Sequence, residues 1–243
     1  MAANRPVDVH PARRAALDAG TVASATLAEA LVVDFAALLG TLPGIEARGV
    51  AAMRAAADEG VVARMKRGGA ILADAGLAPI DHPSDTVRGW AAFAAMADAS
   101  LTLDRCLAAI RPFADDAHFG VREWAWMAIR PALAAELPAA LARLMPFAES
   151  PRENLRRFAS EATRPRGVWC AHIPGLRRDP SPALPLLDAL RADPARYVQL
   201  SVGNWINDAG KDNAAWVNAL AGRWGRTDPN TARILARGLR NLR

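Results

Sequence analysis

A five-residue pattern recurs along the chain and restricts the possible folds more than any other feature: Val87-Arg88-Gly89-Trp90-Ala91, Val121-Arg122-Glu123-Trp124-Ala125 and Leu155-Arg156-Arg157-Phe158-Ala159. Two weaker copies, Val198-Gln199-Leu200-Ser201-Val202 and Ala232-Arg233-Ile234-Leu235-Ala236, follow. The copies therefore start at 87, 121, 155, 198 and 232, at intervals of 34, 34, 43 and 34. Counting each start as zero, positions 0, 3, 4 and 7 are apolar or small in every copy, the stripe of a helix packed on neighbours. Between copies there is room for a turn and a second helix. A two-helix unit of this length is the currency of TPR, HEAT and armadillo arrays. The TPR signature residues are missing, so the expected fold is all-α, a HEAT-like (ARM-type) α-α superhelix.

The 43-residue interval holds an excess over its neighbours, assigned to Arg164–Pro174. Such an insertion belongs in a loop on one face of an array. Asp179-Pro180, Asp193-Pro194 and Asp228-Pro229 are expected to start helices or turns. Residues 1–80 fit the repeat poorly. With Gly44, Gly68-Gly69 and Gly76 as helix breaks, they read as an N-terminal helical cap, continuous in a single domain with the repeats of 81–243.

Composition narrows the class further. Cys106 and Cys170 show no CxxC or dense secreted pattern, pointing to a reduced, cytoplasmic setting. The most apolar early stretch, Thr26–Gly40, carries Glu29 and Asp34 and falls short of the roughly 20 residues a membrane span needs. No membrane association is expected. Residues 1–120 carry 11 basic and 14 acidic side chains, whereas 121–243 carry 19 and 11, so the second half is the one suited to a polyanion. His10, His82, His118 and His172 have no metal-ligand spacing, and no phosphate-binding glycine loop occurs, so neither metal nor cofactor is expected.

Three acids stand off the stripe: Glu123 at position 2 of its copy, Glu161 at position 6 and Asp208 at position 10. They can be solvated surface acids or can converge on a cleft. Asn204, Asn207 and Lys211 share the side of Asp208, a polar run that is poor packing material. The arginines at position 1 (Arg88, Arg122, Arg156, Arg233) and position 9 (Arg130, Arg164) form a ladder. It either tracks a polyanion or makes salt bridges along a helical face. Trp90, Trp124 and Trp205 fall on the stripe and read as core, and Trp216 and Trp224 as packing residues. Trp126 and Trp169 are unclaimed by it, and an exposed indole beside carboxylates can hold a cation.

Ser84-DTVRGWA, Arg122-EWAWMAIRP, Phe158-ASEATRPRGVW and Tyr197-VQLSVGNWINDAGKDN, within residues 84–224, resemble the AlkC branch of the AlkC/AlkD DNA alkylation repair glycosylases. The resemblance implies hydrolysis of the N-glycosidic bond of cationic N3-alkylated bases, 3-methyladenine and also 3-methylcytosine, in double-stranded DNA. The protein would act as a monomer. Carried over by motif, Glu161 and Asp208 match the family's acids and Trp169 its aromatic against the lesion, joined here by Trp126. Arg122, Arg130, Arg156, Arg157, Arg164, Arg166, Asn204, Asn207 and Lys211 take the DNA contacts. One departure stands out. The family pattern E-F-A-I-R-P, aligned on Arg130-Pro131, places its glutamate at Trp126, so that Glu123, near one turn earlier, is the acid left to substitute. The resemblance does not extend to the immunoglobulin-like C-terminal domain of some AlkC-type proteins. The alternative reading is a HEAT-like scaffold that binds DNA or a protein without catalysis.

Overall fold

The computed structural model describes residues 9–242, and the part of the expected cap at residues 1–8 lies outside them. Among the described residues there are fifteen α-helices and no strand. The first five are α1 (Pro11–Asp18), α2 (Leu27–Val32), α3 (Phe35–Gly40), α4 (Ala47–Ala55) and α5 (Val61–Asp74). Then come α6 (Asp85–Ala94), α7 (Leu103–Ala114), α8 (Phe119–Ala135) and α9 (Leu137–Ala148). Next comes α10 (Glu153–Ala162), separated by α11 (Pro174–Arg178) and a 3-10 turn from α12 (Leu184–Leu190). The chain ends with α13 (Arg196–Gly210), α14 (Ala214–Trp224) and α15 (Pro229–Gly238). The helices α6, α8, α10 and α13 each begin two residues before a copy of the sequence pattern, so the 34, 34 and 43 intervals are the repeat of the structure itself. The surplus of the long interval lies between α10 and α12.

By packing, the chain divides into one compact unit through Ala128 and a second from Ile129. In the first, Leu38, Leu39, Met65, Leu72 and Trp90 form a dry core, with the Phe35 and Trp90 rings edge to face at 5.4 Å. Gly68 and Gly69 do not break a helix, as the sequence suggested. Both lie inside α5, where a Cβ on Gly68 would come within 2.5 Å of the Trp90 ring and one on Gly69 within 2.4 Å of Phe93. They are glycines because α6 packs against their bare backbone. In the second unit α13 packs between α10 and α15 and buries Val198, Val202, Trp205 and Ile206. Asp228 caps α15 by accepting from the Thr231 N–H, with Pro229 following it, and Asp193 accepts from Ala195 N–H just ahead of α13. These aspartate-proline steps start helices as expected. No helix among the described residues is long and apolar enough to cross a membrane.

The arginine at repeat position 1 fastens the turn that leads into its own helix. Arg88 Nη1 donates to the carbonyls of His82 and Pro83, Arg122 Nη1 to those of Asp116 and Ala117, and Arg156 Nη1 to those of Ser150 and Pro151. Gln199 makes the same pair of contacts, to Asp193 and Pro194. Carbonyls that a tight turn leaves without backbone partners are thus satisfied by one side chain per repeat. Arg88 and Arg156 also grip Asp116 and Asp193 two-handed, with Nε–O distances of 2.9 and 2.6 Å. At these positions the ladder is a structural staple. Accordingly, Arg156→Met is expected to lower the unfolding free energy by about 1.5–3 kcal/mol, the range for hydrogen bonds to charged groups. A denaturant midpoint equal to that of the parent protein would show that Arg156 is only a solvated charge.

Candidate active site

In the second unit α10 and α13 present Glu161 and Asp208 to one another across Arg164, the second residue after α10. Arg164 Nη1 lies 2.6 Å from Glu161 Oε1, and its Nη2 and Nε lie 2.7 and 2.9 Å from Asp208 Oδ2. Both carboxylates are 3% exposed. Burial of an acid without a cation would be costly, and here each acid meets the same guanidinium at ion-pair distance. Burial pushes the Glu161 carboxyl up, but Arg157, Arg164 and the Ser201 hydroxyl outweigh it and hold the group below its ordinary value. Burial likewise opposes the charge on Arg164, and the two acids raise it.

The oxygens differ in what they have left to offer. Glu161 Oε1 is taken by Arg164, while its Oε2 accepts the Ser201 hydroxyl at 2.6 Å and faces Arg157 at 3.5 Å. Ser160 donates in turn to Ser201. Asp208 Oδ2 is likewise occupied, but Oδ1 meets only the Lys211 ammonium, at 3.2 Å, on a side chain that is 44% exposed. Glu161 is thus saturated and orients Arg164, and Asp208 keeps one oxygen under a half-exposed lysine. Ser201 escaped the sequence reading, although it lies two turns before Asp208 on the same helix, a spacing that places both on one face.

The insertion leaves this cluster directly. Arg130, reaching from α8, donates to the carbonyls of Ala162, Arg164 and Ala171, at 2.9, 2.5 and 3.0 Å, closing both ends of the loop. Ile173 N–H donates to Pro165 O. A Cβ on Gly167 would collide with Cys170 Sγ at 2.3 Å. Arg166 and Arg177 both clamp Asp212, one turn past Asp208, and hold its carboxyl far below the usual range through their hydrogen bonds. On this fixed frame Trp169 sits with φ of 59° and is 52% exposed, beside equally exposed Val168. A positive φ is uncommon for a large side chain.

Several expected surface contacts are not at the surface. Arg130, Arg157, Arg164 and Asn207 are buried, taken up by backbone carbonyls, by Glu161 and Asp208, and by Gly238 O. Trp126 was read as an unclaimed, exposed indole, and it is 2% exposed. The reason is that α8 is buried on every side from Trp124 to Arg130, so the apolar stripe does not mark its limits. Its Nε1 donates to Glu123 Oε2 at 2.8 Å, and both residues belong to the first unit. Asn204 accepts from Arg237, and Arg122 and Arg156 serve the staples already described.

No family model matches the chain. The chain is 40% identical over 78 residues to the uncharacterised protein YhaZ of Bacillus subtilis, a stretch amounting to 32% of the chain and 22% of YhaZ. Its fold superposes on the Pseudomonas fluorescens alkylpurine DNA glycosylase AlkC, solved bound to DNA containing an abasic site analog, with a TM-score of 0.69 and 28% identity. In fold the chain is similar to AlkC. The match covers 86% of this chain and 61% of the AlkC chain, so it spans less than two thirds of that protein's length. The similarity agrees with the helical repeat.

Proposed function

We propose that this chain is a DNA glycosylase that releases cationic N3-alkylated bases, 3-methyladenine and also 3-methylcytosine, from double-stranded DNA. The observation that carries the reading is the Glu161–Arg164–Asp208 bridge, a pair of charged, buried carboxylates at the mouth of a rigidly framed loop in an AlkC-like fold.

A base alkylated at N3 already bears positive charge. It departs with the electrons of its glycosidic bond and becomes neutral, so no acid need protonate it. What the protein must supply is stabilisation of the oxocarbenium charge left on the sugar, and a water that attacks C1′ and gives up a proton. Asp208 would do both through Oδ1, the oxygen that meets Lys211. Glu161 acts through Arg164 as a positioning residue, since neither of its oxygens is open. Trp169 would lie against the cationic lesion, and damaged bases cost less to unstack, which favours them further. Lys211 and Arg166 are the phosphate contacts we retain from the sequence pattern.

The test is release of free N3-methyladenine from methylated duplex by the purified chain, alongside a duplex containing uracil as a neutral control. Release from the first and not the second is expected. Retention of the methylated base on tightly bound DNA would favour a non-catalytic scaffold.

A further inference from the structure

The last repeat carries a cationic feature that the acid site does not use. The face of α13 that bears Ser201 and Asp208 also bears Asn204, and Asn204 Oδ1 accepts from two guanidiniums at once: Arg237 Nε at 2.8 Å and Arg240 Nη2 at 3.5 Å. The stem of Arg237 runs across bare backbone, because a Cβ on Gly203 would come within 2.9–3.1 Å of its Cβ, Cγ and Cδ. Arg240 Nη1 is anchored on Arg237 O at 2.7 Å. Among the described residues neither guanidinium meets a carboxylate. Burial, and then the charges of Arg240, Arg196 and Arg164, make the Arg237 cation less comfortable than usual. Like charges gathered on one neutral acceptor are the arrangement an anion completes.

We propose that Arg237 and Arg240, converging on Asn204, bind one phosphodiester of the DNA strand, the phosphate adjoining the sugar that Asp208 faces. The inference rests on the glycosylase reading for the identity of the anion. It draws its position from the helix: Asn204 precedes Asp208 by four residues, about 6 Å along the axis, the scale of one step along a backbone. Each guanidinium directs N–H groups to one non-bridging oxygen, and the contact carries no base information.

The experiment measures binding of a duplex containing an abasic-site analog by fluorescence anisotropy from 50 to 200 mM salt, for the parent protein and for Arg237→Gln/Arg240→Gln. The double variant is expected to bind severalfold more weakly, with the slope of log K against log salt shallower by about one, the signature of one lost phosphate contact. Arg240→Gln alone changes an exposed side chain and is expected to move in the same direction, which keeps the test valid should the Arg237 change disturb packing. Arg233→Gln, on the same helix but held on Asn230, is expected to leave the slope unchanged. An unaltered slope in the double variant, or an equal change in Arg233→Gln, would overturn the proposal while leaving DNA binding intact. A parent protein that binds no duplex at all would instead remove the glycosylase reading, and this site with it.

Discussion

Replacing Asp208 by Asn should abolish base release and spare binding. The substitution keeps the size of the side chain and an oxygen for Arg164, but removes the negative charge that faces the reacting sugar. Losing one preorganised electrostatic contact typically costs on the order of 10²–10³ in rate, and single-turnover release of methylated bases is expected to fall at least that far. Affinity for duplex containing an abasic-site analog should stay within about threefold, because phosphate contacts dominate it. A variant that released base at the parent rate would remove Asp208 from the reaction. Glu161→Gln should cost less in rate, since Glu161 acts only through Arg164 and its neighbours.

Arg164→Met should be the most damaging single change to stability. It leaves Glu161 and Asp208 buried, with Arg157, Lys211 and the more distant charge of Arg130 as the remaining cations, and breaking a buried ion pair from one side costs about 3–5 kcal/mol. The pH dependence follows from Glu161, whose carboxyl is held below its ordinary value of 4.5 in the folded protein. In the parent, that group adds stability which is fully present above the unfolded value and is lost as pH falls through the lower, folded one. In the variant, burial is less opposed and the carboxyl moves up from that lowered value, so its contribution shrinks. The gap between the two denaturant midpoints should therefore be wide at pH 7.5 and narrow as pH falls below the ordinary carboxylate value. A gap independent of pH would show that the bridge is not the source of the loss.

The repeat period was legible because the first four copies sit at the same offset in their helices, and the apolar stripe does the packing. Gly68 and Gly69 were misread because glycine in mid-helix looks like a break, while the true cause, the rings of Trp90 and Phe93, lies on another helix. The arginine ladder was ambiguous for a similar reason. A guanidinium that folds back on the carbonyls of the preceding turn has the same spacing as one pointing to solvent. Trp126 was misplaced because α8 has no exposed side over its middle turns. Of the site, the acids Glu161 and Asp208 could be picked out as polar outliers. Their union through Arg164, and the inequality of their oxygens, depend on contacts between residues more than forty positions apart. No period in the sequence encodes that.

The most direct test of the central claim is single-turnover incubation of the purified protein with a duplex carrying one N3-methyladenine, scored for free base and for an abasic strand that breaks in alkali. The account predicts both products in equal amounts from the parent protein and neither from Asp208→Asn. Tight binding of the lesion duplex by the parent protein, with the base still attached, would contradict it.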